Sequence, residues 1–283
     1  MKRILVAIDG TLLPEKSIAC AQVLAGNKPY SLTGVYVPTL QTEHVHHQES
    51  SRVTTGQFPY SFSEEVYVDD EVIVGESPNQ HKDAFLDRCR ELGVNCTVHA
   101  DDGELSHELA EESMFADLLI VSVDHYKSYL ENRLEQRLLN AVLRKAMCPV
   151  VVAPAQYENI ESLLVAYDGS PSSIFAMKQF ALLFPDQLAK LPVHIVQVFS
   201  ESSNRLTNEK LIKEFAQQHF RKYEIHRQTG DASRQIQAVA AELNNPLLIM
   251  GAFGRSLPSR IFHPSVGKEI LQTGLFPFFV AHP

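Results

Sequence analysis

Gly251 and Gly254 are followed, after nine further residues, by Pro264 and Ser265. The run that holds them, GAFGRSLPSRIFHPSVGKEIL (251–271), comes directly after the apolar stretch LLIM. Glycine lets backbone amides approach an anion closely and take positive φ. Successive amides can then cradle a phosphate oxygen. A helix starting near 264–266 would add free amides and the positive end of its dipole, with the Ser265 hydroxyl as one more donor. The spacing therefore predicts a phosphate cradle with one departure. Pro264 suits the first turn of a helix, but it has no N–H and cannot take positive φ. One lost hydrogen bond to a charged group is worth about 1.5–3 kcal/mol, or about ten- to a hundredfold in affinity. Arg255, Ser256 and Lys268 offset part of that loss if they face the site.

The elements that must position these residues come from a repeat. RILVAIDGTLLPEKSIACAQVLA (3–25) matches SLLVAYDGSPSSIFAMKQFALLF (162–184), pairing Asp9 with Asp168. LLIVSVDHYKSYLENRLEQRLLNAVLRKAMCPVVVAP (118–154) aligns without a gap on LLIMGAFGRSLPSRIFHPSVGKEILQTGLFPFFVAHP (247–283). DDGELSHELAEES (101–113) stands against TGDASRQIQAVAAE (229–242). Two copies of one unit follow, 1–155 and 156–283, joined near PAQYENIE.

In the second unit, strands are expected at 163–167, 193–199, 222–229, 247–251 and 276–282. Helices are expected at 171–184, 207–220, 231–243 and 264–272. Apolar runs without alternation are strands covered on both faces. The pattern gives an α/β fold with two tandem doubly wound parallel sheets of five strands each. The first unit carries an extra segment, about 39–80, that reads either as a β-hairpin around Asp69-Asp70 or as an irregular surface excursion.

Bulk composition narrows the function. The formal net charge is -9, which argues against nucleic acid and anionic membranes as partners. Cys20, Cys89, Cys96 and Cys148 form no C-x-x-C pair and suit a reducing compartment. The opening apolar run ends at Asp9, short of a signal-peptide core, and no stretch has the length of a membrane span. A cytoplasmic protein is expected. His44, His46 and His47 have no spacing that fixes a metal geometry, so no metal site is expected. G-x-S-x-G and Walker A patterns do not occur, and no catalytic set accompanies the glycines.

The openings ILVAIDGT and LLVAYDGS, the GDAS turn and the ending GAFGRS…PSVGKEIL…FPFFVAHP resemble the universal stress protein (UspA-like) superfamily, over nearly the whole chain except 39–80. That resemblance implies a Rossmann-like sandwich of the adenine nucleotide alpha hydrolase type and a role in stress survival, mostly without an established reaction. One branch binds ATP through Gly-x2-Gly-x9-Gly-[Ser/Thr], matched here by Gly251, Gly254 and Ser265 with Pro264 in the third glycine's place. By position the resemblance also implies contacts from Asp168, Gly169, Ser170, Arg255 and Val266, and from the backbone of Val198. ATP or a related adenine nucleotide, with or without Mg2+, is the implied ligand. Members dimerise, often through the last strand, which implies an intramolecular pseudo-dimer of the two units, with a homodimer of chains as a further option.

A plainer reading of the same residues stays open. Asp168, Ser170 and Ser265 can serve only as helix caps, and the glycines only as loop residues. The chain is then a nucleotide-free interaction scaffold; a slow ATP hydrolase is the weaker alternative. In the first unit Ser122, His125, Glu135 and Gln136 replace Gly251, Gly254, Pro264 and Ser265. Glu135 would repel phosphate, so no nucleotide is expected there.

Overall fold

A computed structural model describes residues 1–9, 15–37, 40–41, 73–74, 78–100, 105–122, 142–154, 159–199, 205–251 and 276–282. The first unit gives β1 (Lys2–Asp9), α1 (Glu15–Ala25), β2 (Tyr30–Val37), β3 (Leu40–Gln41) and β4 (Ile73–Val74). It continues with α2 (Pro78–Glu91), β5 (Asn95–Ala100), α3 (Leu105–Ser113), β6 (Leu118–Ser122) and β7 (Val150–Ala153). The second gives β8 (Ser162–Ala166), α4 (Pro171–Leu183), α5 (Pro185–Lys190), β9 (Val193–Phe199), α6 (Glu209–His219), β10 (Tyr223–Thr229), α7 (Ala232–Ala241), β11 (Pro246–Gly251) and β12 (Phe278–Ala281).

Ten of these strands form one sheet in the order β10-β9-β8-β11-β12-β7-β6-β1-β2-β5. Each half contributes its third, second, first, fourth and fifth strands in that order, all parallel. The halves meet where β12 pairs antiparallel with β7, Phe279 opposite Val151. The two expected five-stranded parallel sheets are thus joined edge to edge into one continuous sheet. The reason is local: β7 and β12 are fully buried, and each would otherwise be an apolar edge with unpaired amides. Of the 39–80 segment, β3 and β4 pair antiparallel; the proposed turn at Asp69-Asp70 lies outside the described residues.

The apolar runs β6, β8 and β11 are buried along their whole length, because helices cover both faces. One core joins Ile4, Ile18, Phe85, Val151, Phe180, Ile212 and Phe279 under α1, α2, α4 and α6. The other joins Leu5, Leu109, Leu143, Val152, Val198, Ile236 and Phe278 on the opposite face. Both run through the junction of the halves. The rings of Phe180 and Phe279 meet edge-on at 5.1 Å, a favoured aromatic geometry.

The short helix α5 has no counterpart in the sequence reading. Its Gln187 side chain donates to the Val23 carbonyl of α1. Lys28 lies 3.4 Å from Asp186, and the Lys2 ammonium sits 4.6 Å from the centre of the Phe184 ring. α5 therefore brackets the two halves on one face.

Candidate functional site

In the second half β8 lies between β9 and β11. The chain leaves β8 towards β9 on one side and returns as β11 on the other. Ligands of open α/β sheets bind outside the carboxyl ends of strands at such a switch point. Ile249 pairs with Val165 and Ala166 with Val196. Continuing those registers brings Gly251 level with Tyr167, and Val198 level with Asp168. So Asp168, Gly169, Ser170, Val198 and Gly251 converge on one edge. Gly254, Arg255, Ser265 and Val266, with Pro264, lie outside the described residues.

The turn after β8 is built tightly. One Asp168 carboxylate oxygen accepts the Ser170 N–H at 2.8 Å. Ser170 caps α4, its hydroxyl oxygen accepting the Ser173 N–H at 3.2 Å, with Pro171 in the first turn. Gly169 has φ +76°, and a Cβ there would lie 2.2 Å from the Thr207 methyl. Both facts demand glycine.

At Gly251 the fold supplies its own reason for glycine. A Cβ there would lie 2.5–2.7 Å from the backbone of Ser172 and Ser173. Glycine here lets the start of α4 press against the end of β11. Among the described residues, positive φ is confined to Gly26, Gly93, Gly169, Gly230, Asn208 and Asn245. Gly251 is not among them. Close packing is therefore a reason for glycine here that does not depend on positive φ.

Sequence reasoning missed a polar latch beside this turn. The Gln197 amide donates to the Thr207 hydroxyl at 2.8 Å and accepts the Thr207 N–H at 3.0 Å. The Tyr167 hydroxyl donates to the Thr207 carbonyl at 2.9 Å. Gln197 and Tyr167 are both buried. Burial, reinforced by the charge of Asp168, pushes the Tyr167 phenol up from its usual pKa, so it stays a donor at neutral pH. A glutamine inside the apolar run VHIVQVF was the one available signal, since a buried amide needs partners. The latch also explains why α6 starts at Glu209 and not at 207: Asn208 has φ +51°, which ends the helical path.

Next to β9, Gly230 donates its N–H to the Phe199 carbonyl at 3.1 Å. Asp231 caps α7 by accepting the Arg234 N–H at 2.9 Å. The GDAS turn thus closes the same edge. In the first half the backbone of Asp9 ends β1 and the buried Ser122 ends β6. His125, Glu135 and Gln136 lie outside the described residues.

Residues 198–282 match the Universal stress protein family. A universal stress protein of Synechocystis sp. is 32% identical over 140 residues, 47% of this chain and 46% of that protein. The match thus spans about half the length of that curated relative. Two solved structures share the fold. A universal stress protein from Archaeoglobus fulgidus superposes with a TM-score of 0.60 at 14% identity, over 99% of this chain and 96% of that one. A functionally unknown protein from Pseudomonas aeruginosa gives 0.60 at 17% identity, over 100% and 93%. Family match, curated relative and shared fold agree: residues 198–282 match the Universal stress protein family, and the chain is similar to universal stress proteins in part of its sequence and in its fold.

Proposed function

We propose that the chain is a tandem stress-response protein, with units 1–155 and 156–283, that binds an adenine nucleotide at the switch point of its second unit. The observation that carries this reading is the convergence of Asp168, Gly169, Ser170, Val198 and Gly251 on one edge, with the glycine-bearing run leaving from Gly251. The residues fit such a ligand. One Asp168 carboxylate oxygen accepts the Ser170 N–H; the other would accept a ribose hydroxyl, and the strand end at Val198 would offer backbone groups to a base edge. Gly254, Arg255, Ser265 and Val266 would hold the phosphates, with or without Mg2+. The nucleotide acts as an effector that favours one conformation by binding it better than the other; no turnover is assigned. Among the described residues no helix is long and apolar enough to cross a membrane, and the cytoplasm suits the scattered thiols.

A second reading has its own support. Asp168, Ser170 and Gly251 each have a complete structural role in the turn and in α4 packing. If those roles are their only ones, the chain is a nucleotide-free scaffold. Calorimetric titration with ATP, ADP and AMP separates the two. Saturable binding that Pro264→Gly tightens by about tenfold, from one regained hydrogen bond to a charged group, supports the nucleotide. No heat at millimolar ligand leaves the scaffold.

A further inference from the structure

Sequence reasoning placed no metal on this chain, yet β9 and β10 bring His194, Glu224 and His226 together on one face. His194 pairs in register with Glu224, and Val196 with His226, so all three side chains share a side of the parallel sheet. The His194 Nδ1 lies 3.0 Å from the His226 Nε2 and 3.8 Å from a Glu224 carboxylate oxygen. All three ligand atoms fall within 4.8 Å of one another. Donors on a tetrahedral Zn2+, each about 2.0–2.1 Å from the ion, sit roughly 3.3 Å apart. The set needs only small side-chain rotations to reach that spacing, and Glu224 is exposed enough to make them.

The first half shows what occupies the equivalent place. β1 pairs Ile4 with Leu32 and Leu118, and β8 pairs Leu163 with Val193 and Leu247. Carrying these registers outward, Arg3 corresponds to Ser162, Thr33 to His194, Thr97 to Glu224 and His99 to His226. In the first half a cation is built in. The Arg3 guanidinium donates to the Thr33 hydroxyl at 3.4 Å and pairs with Glu112 at 2.7 Å, which in turn contacts His99. In the second half the arginine is Ser162, whose hydroxyl turns away to the Asn244 carbonyl at 2.8 Å. The two threonine positions, Thr33 and Thr97, have become His194 and Glu224 beside the retained histidine, His226. The guanidinium is gone and donors suited to a metal stand in its neighbourhood.

We propose that His194, Glu224 and His226 bind a first-row divalent ion of the Zn2+ class. Two imidazoles and one carboxylate are a recognised donor set for such an ion, with positions left for water or a fourth ligand. Burial, with the neighbouring His226 ring, holds His194 below its ordinary pKa, the direction that favours the neutral imidazole. Lys222 acts in the same direction and Glu224 against it. The site is at the amino-terminal part of β9. Val198 lies four residues further along that strand, about 13 Å away at 3.3 Å per residue, so the proposal stands apart from any nucleotide.

The test is Zn2+ titration of the chelator-stripped full chain against a chromogenic chelator. One ion per chain is expected. His226→Gln should weaken it at least about tenfold, the scale seen for loss of metal-site partners. Glu224→Gln, at an exposed position, should weaken it measurably without affecting the fold by circular dichroism. A chain with His44, His46 and His47 changed to Asn should bind as before. Absence of stoichiometric binding would overturn the proposal. So would affinity unchanged in the folded Glu224→Gln and His226→Gln variants, or lost when His44, His46 and His47 are changed; the two rings then share only an N–H···N hydrogen bond.

Discussion

Gly251 separates two explanations that the sequence leaves joined. As part of a glycine pair it suggested an anion cradle, but its Cβ would meet the Ser172–Ser173 backbone, which cannot yield like the end of a side chain. Gly251→Ala should therefore lower stability by about 1–3 kcal/mol, the range for overpacking, measured by urea unfolding without any ligand. A neutral result would show that β11 and α4 have room to part. The spacing of Gly251, Gly254 and Ser265 was legible in the sequence; the reason for the first glycine was not, because it depends on which helix crosses that strand. The thiols give a second prediction at this scale. Burial pushes both Cys148 and Cys89 up to about 12, Cys89 also through its contact with Cys96. Only the thiolate reacts, so iodoacetamide at pH 8 should leave both unlabelled in the native chain and label them in denaturant. Rapid native labelling, read by mass spectrometry, would contradict the packing around them.

Helix starts carry the next level. Ser170 was readable as a cap because it precedes a helical pattern, whereas Asp231 was placed inside the expected helix 231–243; in the structure each accepts an N–H three residues on. Asp231→Ala, away from the Asp168 turn, should cost about 1 kcal/mol in the same unfolding assay. α6 begins with Glu209, which binds Lys213 at 2.6 Å and Arg227 of β10 at 2.9 Å. The hydrogen bond from Lys213 leads the effects that hold its carboxyl below the usual range. A depressed carboxyl contributes stability above its unfolded pKa, and that contribution fades as pH falls through the folded value. The stability difference between wild type and Glu209→Gln should therefore shrink on acidification from pH 6 towards pH 3. A difference that grows with acid would reverse the sign and refute the pairing. The strands were legible because buried runs such as LLIV and LLIM lack alternation. α5 was not, because six residues are too few for periodicity to register.

At the scale of the whole molecule, the repeat foretold two like units, and only the family resemblance pointed to their last strands as the place where the halves pair. Nothing local to VVVA or FFVA names a pairing partner. Full burial of both strands and cores that cross the junction make the halves depend on each other. Phe279→Ala should cost about 3–5 kcal/mol. Hydrogen exchange should then show loss of protection in β6 as well as β11; loss confined to β11 would mean that the halves unfold independently.

The central claim is that one switch point, in the second half, is the nucleotide site. The most direct measurement is an ATP titration of the isotopically labelled chain followed by backbone amide resonances. The account predicts saturable shifts at Gly169, Ser170, Val198 and Gly251, with β1 and β6 unmoved. Shifts centred on β1 and β6, or none at millimolar ATP, would contradict it.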